Sequence, residues 1–106
     1  MLSCFRLAEG SSIDDYQAAL EVFSRQLVAL DLVEDVGPVG ERRDDTILDT
    51  DEDRDHTHFL VMSFRDRAQA DRAVAHIEER VQPGVGLHNT MYSHITDPVF
   101  ICWEDL

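Results

Sequence analysis

Ile13, Tyr16, Leu20, Phe23, Leu27 and Leu30 recur at spacings of three and four, the period of one face of an α-helix. Ser12 precedes them and Asp15 follows three residues later, in the form of a capping box. The pattern therefore predicts an amphipathic helix of about five turns. Before it, Met1 to Leu7 reads as a short strand that Gly10-Ser11-Ser12 ends. After it, Val33, Val36 and Val39 suggest a strand, but Gly37-Pro38 and Gly40 interrupt them, so residues 33–43 read as an irregular edge strand. Residues 44–55 are a polar loop. His58 to Phe64 is nearly unbroken apolar sequence and reads as a central strand. Asp66 and Gln69 repeat the capping pattern, and Ala70, Ala73, Val74, Ile77 and Val81 give a second helix that Pro83-Gly84 stops. Residues 84–97 are mixed, with an extended piece around Met91 to Ile95, and Val99 to Trp103 reads as the last strand.

The predicted order is strand, helix, strand, strand, helix, strand. That is the ferredoxin-like α+β order: one domain over residues 1–106, a four-stranded antiparallel sheet, and two helices on one of its faces. The first and third strands lie in the centre and the fourth beside the first. Two helices cover one face only, and a second face in water would show alternating apolar and polar residues. Leu60, Val61 and Met62 are consecutive apolar residues, as are Val99 to Trp103. The first strand puts Leu2 and Cys4 on one side, and Phe5 and Leu7 on the other. Both faces call for cover, and a second copy of the chain is the simplest one, which predicts a homodimer.

In this element order, in His58-Phe59-Leu60-Val61-Met62-Ser63-Phe64-Arg65-Asp66 leading into a helix, and in the His88 segment before a terminal strand ending Cys102-Trp103-Glu104-Asp105, the chain resembles the dimeric α+β barrel superfamily. The resemblance implies two sheets packed face to face across a two-fold axis. That superfamily includes cofactor-independent monooxygenases, haem-degrading enzymes, lactone isomerases and stress-responsive barrels, so fold alone does not choose an activity. In the monooxygenases, Asn, Trp and His side chains line a pocket for an aromatic polyketide-like substrate. The counterparts here are Asn89, Trp103 and either His88 or His94. A haem-degrading relative would need an axial histidine near a helix, and His76 is the one histidine in a predicted helix. Its charged neighbours make it a rim residue instead.

Charge narrows the partners. The chain carries 22 acidic residues against nine basic ones, for a net charge of −13, and all nine basic residues are Arg. No basic patch is available for nucleic acid, and an anionic membrane would repel the chain. Residues 34–55 hold ten acidic and three basic residues, so the excess is concentrated in the irregular strand and its loop. Hydrophobic residues make up 43% of the chain, which suits a globular protein. No apolar run spans a bilayer and no signal peptide is recognisable, so cytoplasmic residence is the expectation.

The candidate chemistry is sparse. His56 and His58, two apart at the start of a strand, are expected on one face, as a metal pair would be, but a third ligand is missing. Asp49, Asp51, Asp53 and Asp55 alternate as in a calcium loop, yet Arg54 stands where the turn needs Gly and Leu60 where a bidentate Glu belongs. The segment reads as a solvated, mobile acidic loop. No metal and no cofactor is expected. Cys4 and Cys102 are placed on neighbouring strands and read as free thiols. Arg6, a charge inside a two-faced strand, needs a partner such as Glu104 or a ligand carboxylate. Two functions remain: a small-molecule binding protein or cofactor-free enzyme with a pocket built on Arg6, His58, His88, Asn89, His94 and Trp103, and a non-catalytic dimer module acting through its acidic loop.

Overall fold

Residues 3, 4 and 5 are all buried although neighbouring strand residues point to opposite faces. The computed structural model, which describes residues 1–80 and 82–106, shows how both faces of that strand are covered. β1 (Leu2–Leu7) lies between β4 (His58–Ser63) and β5 (Ile95–Ile101), antiparallel to both. β2 (Asp35–Val36) and β3 (Gly40–Glu41) both pair antiparallel with the far side of β4. This is the expected ferredoxin-like order, with two short strands in place of one edge strand, so the sheet has five strands. Gly37-Pro38 makes the break. The Gly37 N–H still bonds Val61 O at 2.8 Å, but Pro38 has no N–H to continue the ladder. A Cβ on Gly37 would stand 3.1 Å from that same carbonyl oxygen, which explains glycine at this close approach.

α1 (Ile13–Ala29) begins with the predicted capping box: the Asp15 N–H donates to Ser12 Oγ at 3.1 Å, and the Ser12 N–H to Asp15 Oδ2 at 3.4 Å. Its buried stripe is Tyr16, Leu20, Phe23 and Leu27. Leu30 lies past the helix and is exposed. The chain leaves through a Schellman turn, with the Leu32 N–H on Leu27 O and the Asp31 N–H on Val28 O. Asp31 takes the left-handed position, φ 55°, usually given to glycine.

Gln69 extends that turn into a polar anchor. It is fully buried on α2 (Arg67–Glu78). Its Oε1 accepts from the Arg65 N–H at 2.7 Å, and its Nε2 donates to Asp31 O at 3.3 Å and Glu34 Oε1 at 3.2 Å. Asp66 caps α2 through the Gln69 N–H at 2.8 Å, while the reciprocal bond goes to Arg65 rather than to the cap residue itself. Arg65 also bridges Asp31 and Glu34 and holds the Asp31 carboxyl below its ordinary pKa. Of the predicted apolar face of this helix, Ala73 is buried and Val74 is exposed, and Val81 lies outside the described residues.

A third helix corrects the expected extended piece around Met91 to Ile95. α3 (Gly84–Tyr92) packs mainly on α1, and β5 starts only at Ile95. α2 ends before the expected Pro83-Gly84 stop, at Glu78 with Arg80 in the left-handed region at φ 55°, and Pro83-Gly84 instead opens the next helix: Pro83 O accepts from the Leu87 N–H and Gln82 Oε1 from the Gly86 N–H. β5 ends at Ile101, so Cys102 and Trp103 fall beyond the strand. Cys4 pairs with Val99 and is buried while Cys102 is exposed, so the two thiols are apart and free.

The acidic segment is tied down by hydrogen bonds and ion pairs. The Arg42 N–H bonds Thr57 O at 2.8 Å and closes the neck of a loop over residues 43–56, here termed the strap. The Arg42 guanidinium grips both Asp49 oxygens, at 2.7 and 2.8 Å, and donates to the carbonyls of Asp51 and Arg54. Arg54 pairs with Asp51 at 2.6 Å, and Arg6 pairs with Asp55 and, at 2.9 Å, with Asp97. The expected Arg6–Glu104 pair does not form: Glu104 lies past the end of β5, while Asp97 in β5 and Asp55 on the strap reach Arg6. The strap thus crosses the helix-free face of the sheet and covers Cys4 and Phe59.

Two outcomes follow. Gln69→Ala leaves the Arg65 N–H and the Asp31 carbonyl without their buried partner, so urea unfolding should show a loss of about 1–3 kcal/mol. The strap depends on an ionised Asp49, whose pKa Arg42 lowers. A carboxyl with a lowered folded-state pKa contributes fully above its unfolded value and loses that contribution as the pH falls through the folded one. Backbone NMR should show residues 43–55 dispersed at pH 5 and collapsing toward random-coil shifts only well below about 3.9, the ordinary Asp value. Asp49→Asn should give the collapsed spectrum at pH 7 with the helices intact.

Candidate functional site

The helix side of the sheet carries Ser3 and Phe5 from β1, and Leu60 and Met62 from β4. α1, α2 and α3 face these residues without filling the space between. A cavity of about 360 Å³ remains, with walls that are chiefly aliphatic and aromatic. Phe5 lies against Tyr16 with ring centroids 4.7 Å apart. A row of rings runs along the α3 side: Phe23 to His88 at 5.4 Å, His88 to Tyr92 at 4.5 Å, and Tyr92 to Phe100 at 6.1 Å. Val74 and Glu78 of α2 and Phe100 of β5 line the cavity and are also exposed, so it opens to solvent between these elements.

Three polar side chains inside, Tyr16, His88 and Tyr92, are neutral. Burial pushes the Tyr16 and Tyr92 hydroxyls up to about 12, with each near enough for Tyr92 to add to the Tyr16 shift. Burial pulls the His88 imidazole below its ordinary value, so it is uncharged at pH 7. Glu78, at the exposed edge, is the ionisable carboxylate among the lining residues. Such a site can accept or donate hydrogen bonds from three neutral groups, and the one cation at its lining, the Met1 ammonium, already donates to Met62 O at 2.8 Å.

Of the residues singled out from the sequence, His88 lines this cavity. Asn89, next to it on α3, is exposed, as is Trp103 beyond β5. His94, at the end of α3, has its Nδ1 3.2 Å from Ser11 Oγ and supports the loop before α1. His58 stacks on Phe5 at 5.8 Å, with its Nδ1 2.8 Å from Thr57 Oγ1. Arg6 belongs to the opposite face and the strap. These six side chains therefore do not converge on one point. His56 and His58 also diverge, against the expectation of a shared face. β4 begins only at His58, and the His56 Nε2–H donates to Asp97 O at 2.8 Å on the strap side. Among the described residues no group of three His, Cys, Asp or Glu side chains has metal-binding geometry. His76 is on α2 and lies outside the cavity lining.

Tyr16 and Tyr92 are the functional candidates that sequence reasoning missed. Tyr16 has the helical spacing of a core residue, and its position in the stripe is indistinguishable from that of Leu20. Tyr92 falls in the stretch that the sequence predicts as extended and that forms the end of α3. The available signal was that both are aromatic residues with a polar tip, which burial obliges to find a partner.

A second chamber, of about 170 Å³, lies beneath the strap and is lined by Leu2, Cys4, Phe59 and Ile101 together with strap residues. Its Cys4 thiol is raised in pKa, first by burial and against the pull of Arg54, so it stays protonated and unreactive. Among the described residues no helix is long and apolar enough to cross a membrane.

No protein-family model matches the sequence, and no curated protein matches it. The fold does have solved counterparts. The crystal structure of At3g17210 from Arabidopsis thaliana aligns with a TM-score of 0.73 over 99% of this chain and 92% of that one, at 9% identity. A dimeric ferredoxin-like protein of unknown function from Thermobifida fusca YX aligns with a TM-score of 0.54 over 92% of this chain and 81% of that one, at 12% identity. At such identities the likeness is one of fold: an antiparallel ferredoxin-like sheet with its helices on one face.

Proposed function

We propose that this chain is a homodimeric binding protein that holds one small, neutral, largely apolar organic molecule between its sheet and its helices. The observation that carries this reading is the cavity of about 360 Å³, inside the range of about 300–1,000 Å³ typical of ligand pockets. Apolar walls supply the affinity. Tyr16, His88 and Tyr92 supply orientation through hydrogen bonds to a hydroxyl or carbonyl. A charged ligand would lose its hydration, and the Met1 ammonium at the lining is already engaged by Met62 O. Binding is favoured over catalysis because Asn89 and Trp103, which an enzyme of the resembling kind would use, are exposed and do not line the cavity with His88.

Dimerisation rests on the opposite face. The strap covers Cys4 and Phe59, while Val61, Ile101 and Trp103 stay about half exposed. The fold neighbour from Thermobifida fusca YX is described as dimeric. A second copy of the chain covers this apolar strip and leaves the ligand cavity free on the helix side.

The neutral fluorophore N-phenyl-1-naphthylamine tests the cavity. Its emission should rise on mixing with the protein. Ala73→Phe, which fills the cavity from a buried position on α2, should weaken uptake at least tenfold with an unchanged far-ultraviolet dichroism spectrum. Uptake should be level from pH 9 to 7 and fall as His88 protonates below about 6.5, because a buried imidazolium opposes an apolar guest. Absence of uptake, or uptake that Ala73→Phe does not touch, would refute the reading.

A further inference from the structure

The strap ends in a turn that the fold itself does not use. The Asp49 N–H bonds Thr46 O at 3.1 Å and the Leu48 N–H bonds Thr46 Oγ1 at 3.2 Å. Between these bonds Ile47 is 93% exposed and Leu48 88% exposed. Single surface aliphatics are ordinary, but two neighbours almost wholly in water at the tip of a loop are not. The next residue, Asp49, is the one that Arg42 grips through both carboxylate oxygens. The Ile47–Leu48 knob is therefore held in place before it meets anything, and a preorganised element loses little conformational freedom on docking.

The same face carries a receiving surface. Asp49 and Asp51 line the chamber under the strap together with Leu2 and Ile101. The knob thus belongs to the face that carries the half-exposed strip of Val61 and Ile101. Knob and strip on one face of one chain form the arrangement that a two-fold axis satisfies twice, since each protomer offers both halves.

We infer that Ile47 and Leu48 are the anchors of the homodimer, each protomer's strap turn docking on the Leu2–Val61–Ile101 strip of a second copy. This inference rests on the dimer reading above and adds the residues that make it. Charge sets the terms on which a second copy is held. Each chain carries −13, so two copies repel at a distance, and short-range apolar burial must drive their association. Screening that repulsion strengthens the dimer. A basic partner recognised by the acidic strap would bind more weakly as salt rises. Asp49, Asp51 and Asp55 are in any case already matched by Arg42, Arg54 and Arg6.

Sedimentation velocity from 1 to 100 µM, at 0.05 and 0.5 M NaCl, separates the outcomes. The wild-type chain should dimerise, and more tightly at the higher salt. The Ile47→Ser/Leu48→Ser double variant changes no charge and removes no buried atom. It should dissociate at least tenfold more readily with an unchanged dichroism spectrum. Ile101→Ser should weaken the dimer too, and combining it with the double variant should add little, because both remove one contact. A photo-crosslinking phenylalanine analogue at position 48 should join two chains, with the adduct mapping to residues 2, 61 or 99–103. A wild-type dimer that keeps its affinity in the double variant, or adducts elsewhere, overturns this inference and leaves the dimer reading standing. A monomeric wild-type chain overturns both.

Discussion

β1 is buried from both sides, and the rest of the fold answers that constraint. Phe5 and Cys4 are adjacent residues of one strand, both almost wholly out of water, and they point in opposite directions. The sheet therefore needs two covers made of different material. On the Phe5 side the cover is three helices whose apolar stripe is set by α1. On the Cys4 side it is the strap, fourteen residues over 43–56 whose two large aliphatics, Ile47 and Leu48, are both exposed. Neither cover is complete. The helices stand off far enough to leave a cavity, and the strap leaves one end of the sheet bare. Those two shortfalls leave the molecule with one cavity and one half-exposed apolar strip.

The strap shows how an acidic segment becomes structure. Counted as charge it should repel itself and stay solvated. Three of the nine Arg residues prevent that: Arg42 from inside the loop, Arg54 along it, and Arg6 from the sheet beneath. The Arg42–Asp49 pair is the least exposed of these, at 15% and 17% of the side chains. Its two parallel hydrogen bonds and two further bonds to carbonyls give a geometry that a flexible surface pair lacks. The arrangement holds the turn at 46–49 in one position, and it places the chain's concentrated acidity around a face that is otherwise apolar.

Much of the architecture was legible because it is written in periods. The helix over Ile13 to Ala29, its capping box and the central place of β1 and β4 follow from spacing and from two-faced apolar runs. The parts that escaped have non-local causes. α3 carries two glycines and no clean stripe, and it is helical because Val85 and Met91 find cover against neighbouring elements. Gln69 looked like a capping residue, and only the fold brings Asp31 and Glu34 to its amide. Arg42 and Asp49 are seven apart in a loop, a spacing that has no meaning until the loop closes. The cavity is the least legible feature. Tyr16 and Phe23 have the same pattern whether the space they face is filled or open, and His88 acquires its role only through a helix that the sequence did not announce.

The space between helices and sheet is the place where a ligand would be received. Methyl-selective NMR during titration with N-phenyl-1-naphthylamine reads this position by position. A ligand in the cavity should shift the methyl groups of Leu20, Leu27, Leu60, Ile77 and Met91, with those of Ile47, Leu48, Val61 and Ile101 unmoved. Shifts confined to the second group, with the first unmoved, would contradict binding in the cavity and make the probe a marker of the open face of the sheet.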